Sequence, residues 1–209
     1  NCSGFFGDRL AAAKEMVEGG PIDALTGDWL AELTMLILSR IQAKAPGRGY
    51  ARTFVTQMED VMGECLDRGI KVVTNAGGLN PEGCADAVQE VADRFGIQPT
   101  IAYVAGDDLS DRLTELIAAG TDFAHLDTGQ PLGDLADRIV TANAYIGCWG
   151  IVEALNQGAD IVITGRATDA AVVAGPAAWH HGWKRDDWDS LAGAIVSNEF
   201  ALAHAKFGR

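Results

Sequence analysis

Three short polar segments of this chain hold residue types that acid–base or anion-binding chemistry needs. Thr164-Gly165-Arg166-Ala167-Thr168-Asp169 is the most loaded of them. A guanidinium such as that of Arg166 can clamp a carboxylate or phosphate through two parallel N–H bonds, and Thr168 or Asp169 stands where a helix begins. Gly106-Asp107-Asp108 offers two neighbouring carboxylates. Adjacent side chains on an extended segment point to opposite sides, so the pair does not share one ligand. Asp108 or Ser110 reads as a helix cap, which leaves Asp107 as the freer acid and a candidate catalytic acid or base. Asn75-Ala76-Gly77-Gly78 can aim the Asn75 amide, and the closely approaching backbone at Gly77 and Gly78, toward an anion or a carbonyl oxygen. Asp28 is expected to face the same crevice as Asn75, and Asn143 shares a face with Thr141 and Tyr145 if that stretch is extended. The candidate site is therefore Asp107 and Asn75 as catalytic residues, with Gly77, Gly78, Arg166, Asp28 and Asn143 binding substrate.

Each segment also has a plainer reading. The two glycines suit a tight turn with positive φ. Thr168 followed by Asp169 is ordinary helix-start chemistry, and Asp28 can cap a helix opened by Trp29. The Asn75 segment is not G-x-G-x-x-G and lacks a Walker lysine, so it gives weak support to nucleotide binding, and no cofactor is assigned. His180-His181, beside Trp179 and Trp183, suggests a metal at first sight. Adjacent histidines rarely ligate one ion, and no H-x-x-x-H or H-E-x-x-H pattern accompanies them, so a surface or interface role is expected and no metal ligand is named.

The elements that must position these loops recur along the chain as an amphipathic helix, a glycine, a short β-branched strand and a polar loop. Met16–Gly20 leads to Ile22–Leu25 and Thr26-Gly27-Asp28; Leu66–Gly69 leads to Ile70–Val73 and Thr74–Gly78; Leu155–Gly158 leads to Ile161–Ile163 and the Arg166 loop. Such alternation predicts an α/β fold with a mostly parallel sheet and helices on both faces, a Rossmann-like three-layer arrangement. A partial β/α barrel shares the pattern. In either, ligands gather beyond the carboxyl ends of the strands.

Between these repeats, Trp29–Lys44 and Tyr50–Leu66 read as apolar helices. Asn80-Pro81 caps a helix that runs to Phe95 and Gly96, and Thr100–Val104 is a strand followed by a helix over Leu109–Ala119. Thr121–Leu126 reads as a short strand, and Gly175-Pro176 is expected to break a helix at Ala174. Ser3–Asp8 reads as a strand-to-helix loop with no strand before it, so a first strand is expected to be missing.

Bulk composition narrows the function class. A net charge of −13 argues against nucleic acid, whose binding depends on Lys and Arg displacing counterions from phosphates. No apolar run suggests a membrane span. Cys2, Cys65, Cys84 and Cys148 lack C-x-x-C or zinc-like spacing and read as free thiols in a reducing cytoplasm.

Ser3–Asp8, Leu25–Met35 and Asn75–Pro81, followed in the same order by Gly106–Leu109, Thr141–Tyr145 and Gly165–Ala170, together resemble the acyclic terpene utilisation AtuA family. The resemblance covers residues 1 to 193 and weakens over 194–209, a divergent helical tail. Family members are about twice as long, begin with the strand missing here, and often have Glu where this chain has Ala105. The resemblance implies the N-terminal part of a catabolic protein that degrades acyclic terpenes such as citronellol and geraniol through coenzyme A thioesters. A hydratase, lyase or hydrolase acting on a branched or unsaturated acyl-CoA fits the candidate groups. The rival is a non-catalytic subunit or binding module that presents the same crevice and the apolar Trp29–Ile41 helix to a partner. The expected partners are a small-molecule substrate and a second copy of the chain, in the cytoplasm.

Overall fold

Short β-branched runs bounded by glycine become strands because their side chains are buried on both faces of a parallel sheet. The computed structural model describes residues 1–3 and 8–207. Its strands are β1 (Ala24–Gly27), β2 (Lys71–Gly78), β3 (Ile101–Val104) and β4 (Ile161–Gly165). They form one open, all-parallel sheet in the order β1-β2-β4-β3. The chain leaves β2, skips one place to lay down β3, and returns to insert β4 between them. An open sheet of this order is a layered α/β fold and not part of a barrel.

Alternation along the strands separates two apolar clusters. Val72, Ile161 and Ile163 face α1 (Ala12–Glu18), α2 (Glu32–Lys44), α3 (Arg52–Asp67) and α4 (Pro81–Phe95), meeting Val17, Leu38, Phe54, Met58, Val88 and Val91. Val73 and Val162 face the other way. After a 3-10 turn at Ser110–Arg112 and the short α5 (Leu113–Ala118), that second face is covered by α6 (Trp149–Asn156) and α7 (Ala171–His181), with α8 (Trp188–Phe207) packed on α7. Helices thus lie on both sides of the sheet. The Met and Phe residues of α3 are core, at the helical spacing their sequence shows.

Caps and stops act locally as the residue types dictate. Asn80 Oδ1 accepts from Gly83 N at 2.9 Å with Pro81 in the first turn of α4, and Gly96 ends it with φ of 67°. Cys2 N donates to Thr26 O at 2.7 Å and Asp28 N to Ser3 O at 3.1 Å, so the first residues run beside β1 at the sheet edge. Part of the loop expected over Ser3–Asp8, residues 4–7, lies outside the described residues. All four cysteines are free and buried. Burial pushes the Cys2 thiol up to about 12 and that of Cys65 to about 11, and raises Cys84 and Cys148 as well. Among the described residues, no helix is long and apolar enough to cross a membrane.

Several expectations are corrected. Asn75–Gly78 is not a loop after a strand but the second half of β2, which shifts register after Thr74 and pairs again at Gly78 with Gly165. Thr121–Leu126 forms no strand. Helix α7 does not stop at Gly175-Pro176 but continues to His181. Pro176 forfeits one helical hydrogen bond, yet both residues are buried, and a side chain at Gly175 would collide with Ile151 Cγ2 at 2.7 Å. Close packing on α6 outweighs the local tendency to break. α8 runs unbroken through residues 193 and 194.

Gly77 answers to backbone proximity and not to torsion. A Cβ there would stand 2.5 Å from Thr164 O and 2.7 Å from Pro81 Cα, neither of which can rotate away. Gly77→Ala is therefore expected to cost about 1–3 kcal/mol, seen as a lower urea midpoint with an unchanged slope.

Candidate functional site

The polar residues singled out above lie at the carboxyl ends of the four strands. Asp28 directly follows β1, Asn75 is in the second half of β2, Asp107 lies in the loop after β3, and Arg166 directly follows β4. Arg166 is the centre of the arrangement and is only 2 % exposed. Its Nη1 donates to Leu30 O at 2.9 Å and lies 3.1 Å from Asp169 Oδ1. The guanidinium sits 3.9 Å from the centroid of the Tyr145 ring, a cation–π contact, and Nη2 is 3.9 Å from Glu32 Oε1. Tyr145 Oη donates to Glu32 Oε1. That bond, more than the proximity of Arg166, holds the Glu32 carboxyl below its ordinary range.

Two buried atoms at this centre lack hydrogen-bond partners among the described residues, Arg166 Nε and Asp169 Oδ1. The Asp169–Arg166 contact is an ion pair without the alignment of a hydrogen bond. A buried donor without an acceptor is costly, and such groups are found where a ligand completes the set.

Asp28 and Asn75 form the second part of the site. Asn75 Nδ2 donates to Asp28 Oδ1 at 2.6 Å, and Asn75 Oδ1 accepts from Trp29 N at 2.7 Å, which fixes the amide in one orientation. Asp28 is 4 % exposed. Burial pushes its carboxyl up from an ordinary 3.8 to about 6; the Asn75 bond opposes this, and nearby Asp169 adds to it. A carboxyl with a pKa of about 6 can both take and give a proton near neutral pH. Asp28 does not cap α2, which begins at Glu32 with Ala31 at its cap.

Asp107 spends its Oδ2 on structure. It accepts from Arg166 N at 2.7 Å and from Asn143 Nδ2 at 2.9 Å, while Ala144 N donates to Asp107 O at 2.7 Å. A Cβ on Gly165 would fall 2.3 Å from Asp107 Oδ1, so the absence of a side chain there lets the carboxylate in. Burial raises the Asp107 carboxyl, and the Arg166 amide bond opposes that. Asp108 Oδ1 accepts from Ser110 N at 2.8 Å, the capping role its type suggests.

The structure thus joins Asp28 with Asn75, and Asp107 with Asn143, and links both pairs through Arg166. Gly77 and Gly78 lie apart from these side chains. Gly77 packs on Thr164 O and Pro81; Gly78, at φ 54°, packs on Leu38 and Gly49 O. Sequence reasoning missed Glu32 and the Leu30 carbonyl. Their approach depends on how the segment after β1 folds over Arg166, for which no local motif exists. Among the described residues, no three His, Cys, Asp or Glu side chains are grouped to hold a metal ion.

In comparison with known protein families, residues 1–200 match the model described as "Acyclic terpene utilisation family protein AtuA". This chain belongs to the AtuA family. Membership implies a role in acyclic terpene utilisation. No curated protein and no solved structure matches the chain.

The raised Asp28 pKa has a definite consequence for stability. The unfolded carboxyl ionises above about pH 4, whereas the folded one keeps its proton until about pH 6. The folded state therefore loses stability as pH rises through that window, by on the order of 3 kcal/mol, and stays at the lower level above it. Asp28→Asn removes this dependence. Urea unfolding of both proteins between pH 4 and 7 is expected to show the wild type losing ground to the variant up to about pH 6 and levelling off above it.

Proposed function

We propose that this chain is part of an enzyme that performs acid–base chemistry on a small acyl substrate of acyclic terpene breakdown, presented as a coenzyme A thioester. One observation supports this above others: a buried carboxyl with a pKa of about 6, Asp28, and a buried guanidinium with an unpartnered Nε, Arg166, sit in one site at the carboxyl ends of the strands.

In this reading Arg166 binds the carbonyl or carboxylate oxygen of the acyl group, where negative charge builds as a proton leaves the neighbouring carbon or water adds to a conjugated double bond. Asp28 takes or gives the proton, and Asn75 holds it in place. Asp107 and Asn143 are positioning residues that fix the backbone at Arg166, and Gly77 and Gly78 allow the close packing that places Asn75. Addition of water, its reverse, or thioester hydrolysis would all use this pair.

A second reading draws on α2, whose Leu33, Leu36 and Ile41 are exposed. It makes the chain a binding module whose α2 meets a partner or a second copy.

The two readings part on small-molecule binding. CoA thioesters of branched acyclic acids, at about a hundred times their Kd, are expected to stabilise the protein by about 2.7 kcal/mol. Arg166→Gln is expected to remove that thermal shift. Asp28→Asn is expected to keep binding while turnover falls about a hundredfold or more. No shift with any thioester, together with an oligomer dispersed by Leu33→Glu, would favour the module.

A further inference from the structure

Arg166 is buried, yet one side of its guanidinium is covered by a single aromatic ring. Tyr145, whose ring centroid lies 3.9 Å from Arg166 Cζ, is itself 48 % exposed. Its Oη donates to Glu32 Oε1, which ties the ring across the site to the first residue of α2. The Glu32 side chain is 79 % exposed, so water can replace either partner of that bond at small net cost. The backbone on both sides of Tyr145 is pinned: Ala144 N donates to Asp107 O at 2.7 Å, and Thr168 N to Ile146 O at 2.9 Å. Movement at this position is therefore rotation of a side chain and not of a loop. The ring has room to turn, because Tyr145 lines one end of a hollow of about 790 Å³ whose floor is formed by the small side chains of Ala170, Ala171 and Ala174 at the start of α7.

We propose that Tyr145 is a gate over Arg166, latched by Glu32, and that rotation of its ring into the hollow opens the path by which a carbonyl or carboxylate oxygen reaches the guanidinium. The closed state leaves a buried donor, Arg166 Nε, without an acceptor among the described residues, a cost that opening to water or ligand relieves. Leu30 O and Asp169 hold Nη1 from other directions, so the guanidinium keeps its place while the ring moves. The cation–π contact given up on opening is exchanged for a charge-assisted hydrogen bond to the incoming oxygen. What passes the gate rests on the acyl reading above; the gate itself rests on the contacts of Tyr145.

Phenylglyoxal, which modifies guanidinium groups it can reach, reads the gate directly when labelling of the full chain is followed peptide by peptide by mass spectrometry. Wild-type Arg166 is expected to react about a hundredfold more slowly than Arg52, an exposed arginine outside the site. Tyr145→Phe keeps the ring and removes the hydroxyl, and Glu32→Ala removes the acceptor. Each is expected to speed labelling of Arg166 about fivefold and to leave Arg52 unchanged. The gain is expected to be the same with and without dilute urea, as for a local opening. An Arg166 rate unchanged in both variants would overturn the gate. So would a gain that climbs steeply with urea, because Arg166 would then be reached only by unfolding. Isovaleryl-CoA reports on what passes. A gain in Tyr145→Phe that this thioester suppresses upholds the gate and the acyl reading together, whereas a gain that it leaves untouched upholds the gate and overturns the placing of an acyl oxygen on Arg166.

Discussion

A cation buried at the end of a parallel sheet must be surrounded by oxygen or aromatic partners, and Arg166 draws those partners from segments distant in sequence. The Leu30 carbonyl comes from the segment after β1, the Asp107 carboxylate reaches the Arg166 backbone from the loop after β3, and Asp169 lies in its own loop. Tyr145 supplies a ring face and bonds to Glu32. Removing a group so placed would leave several carbonyl and carboxylate oxygens unsatisfied together, a loss far larger than any single bond suggests. The site's geometry is therefore inseparable from the way the chain closes over its strand ends.

That closure explains why three carboxyl groups near one another behave differently. Glu32 stays in water and is held in its charged form by Tyr145, whereas Asp28 is drawn inward, loses hydration and has its pKa raised to about 6. Asp107 is inward too, and burial raises its carboxyl as well, opposed by the backbone N–H and the amide that its Oδ2 meets. The environment assigns the roles, not the residue type. In a molecule of net charge −13, the Arg166 guanidinium at the strand ends is itself faced by Asp169 and Glu32, which offset its charge locally.

Much of the layered fold was legible because its signals are local: Asn80-Pro81 opening α4, Gly96 closing it, and the apolar Ile161–Ile163 run at the sheet's centre. The placement of Asp28, Asn75 and Arg166 at one end followed from strand direction alone. What was not legible depended on contacts distant in sequence. Asn75–Gly78 looks like a turn until Gly165 is available to pair with Gly78, and Pro176 looks like a helix breaker until Ile151 fills the space above Gly175. The choice of Asp107 over Asp108 as the freer acid followed from the capping types beside it, whereas the proton affinity of Asp28 arises from burial, which no short motif records.

Cys148 lies against the same hollow as the Ala170–Ala174 floor, and burial keeps its thiol protonated near neutral pH. Thioesters exchange readily with thiolates but poorly with neutral thiols. The sulfur therefore serves as inert apolar filling in the wall of that hollow and not as a nucleophile.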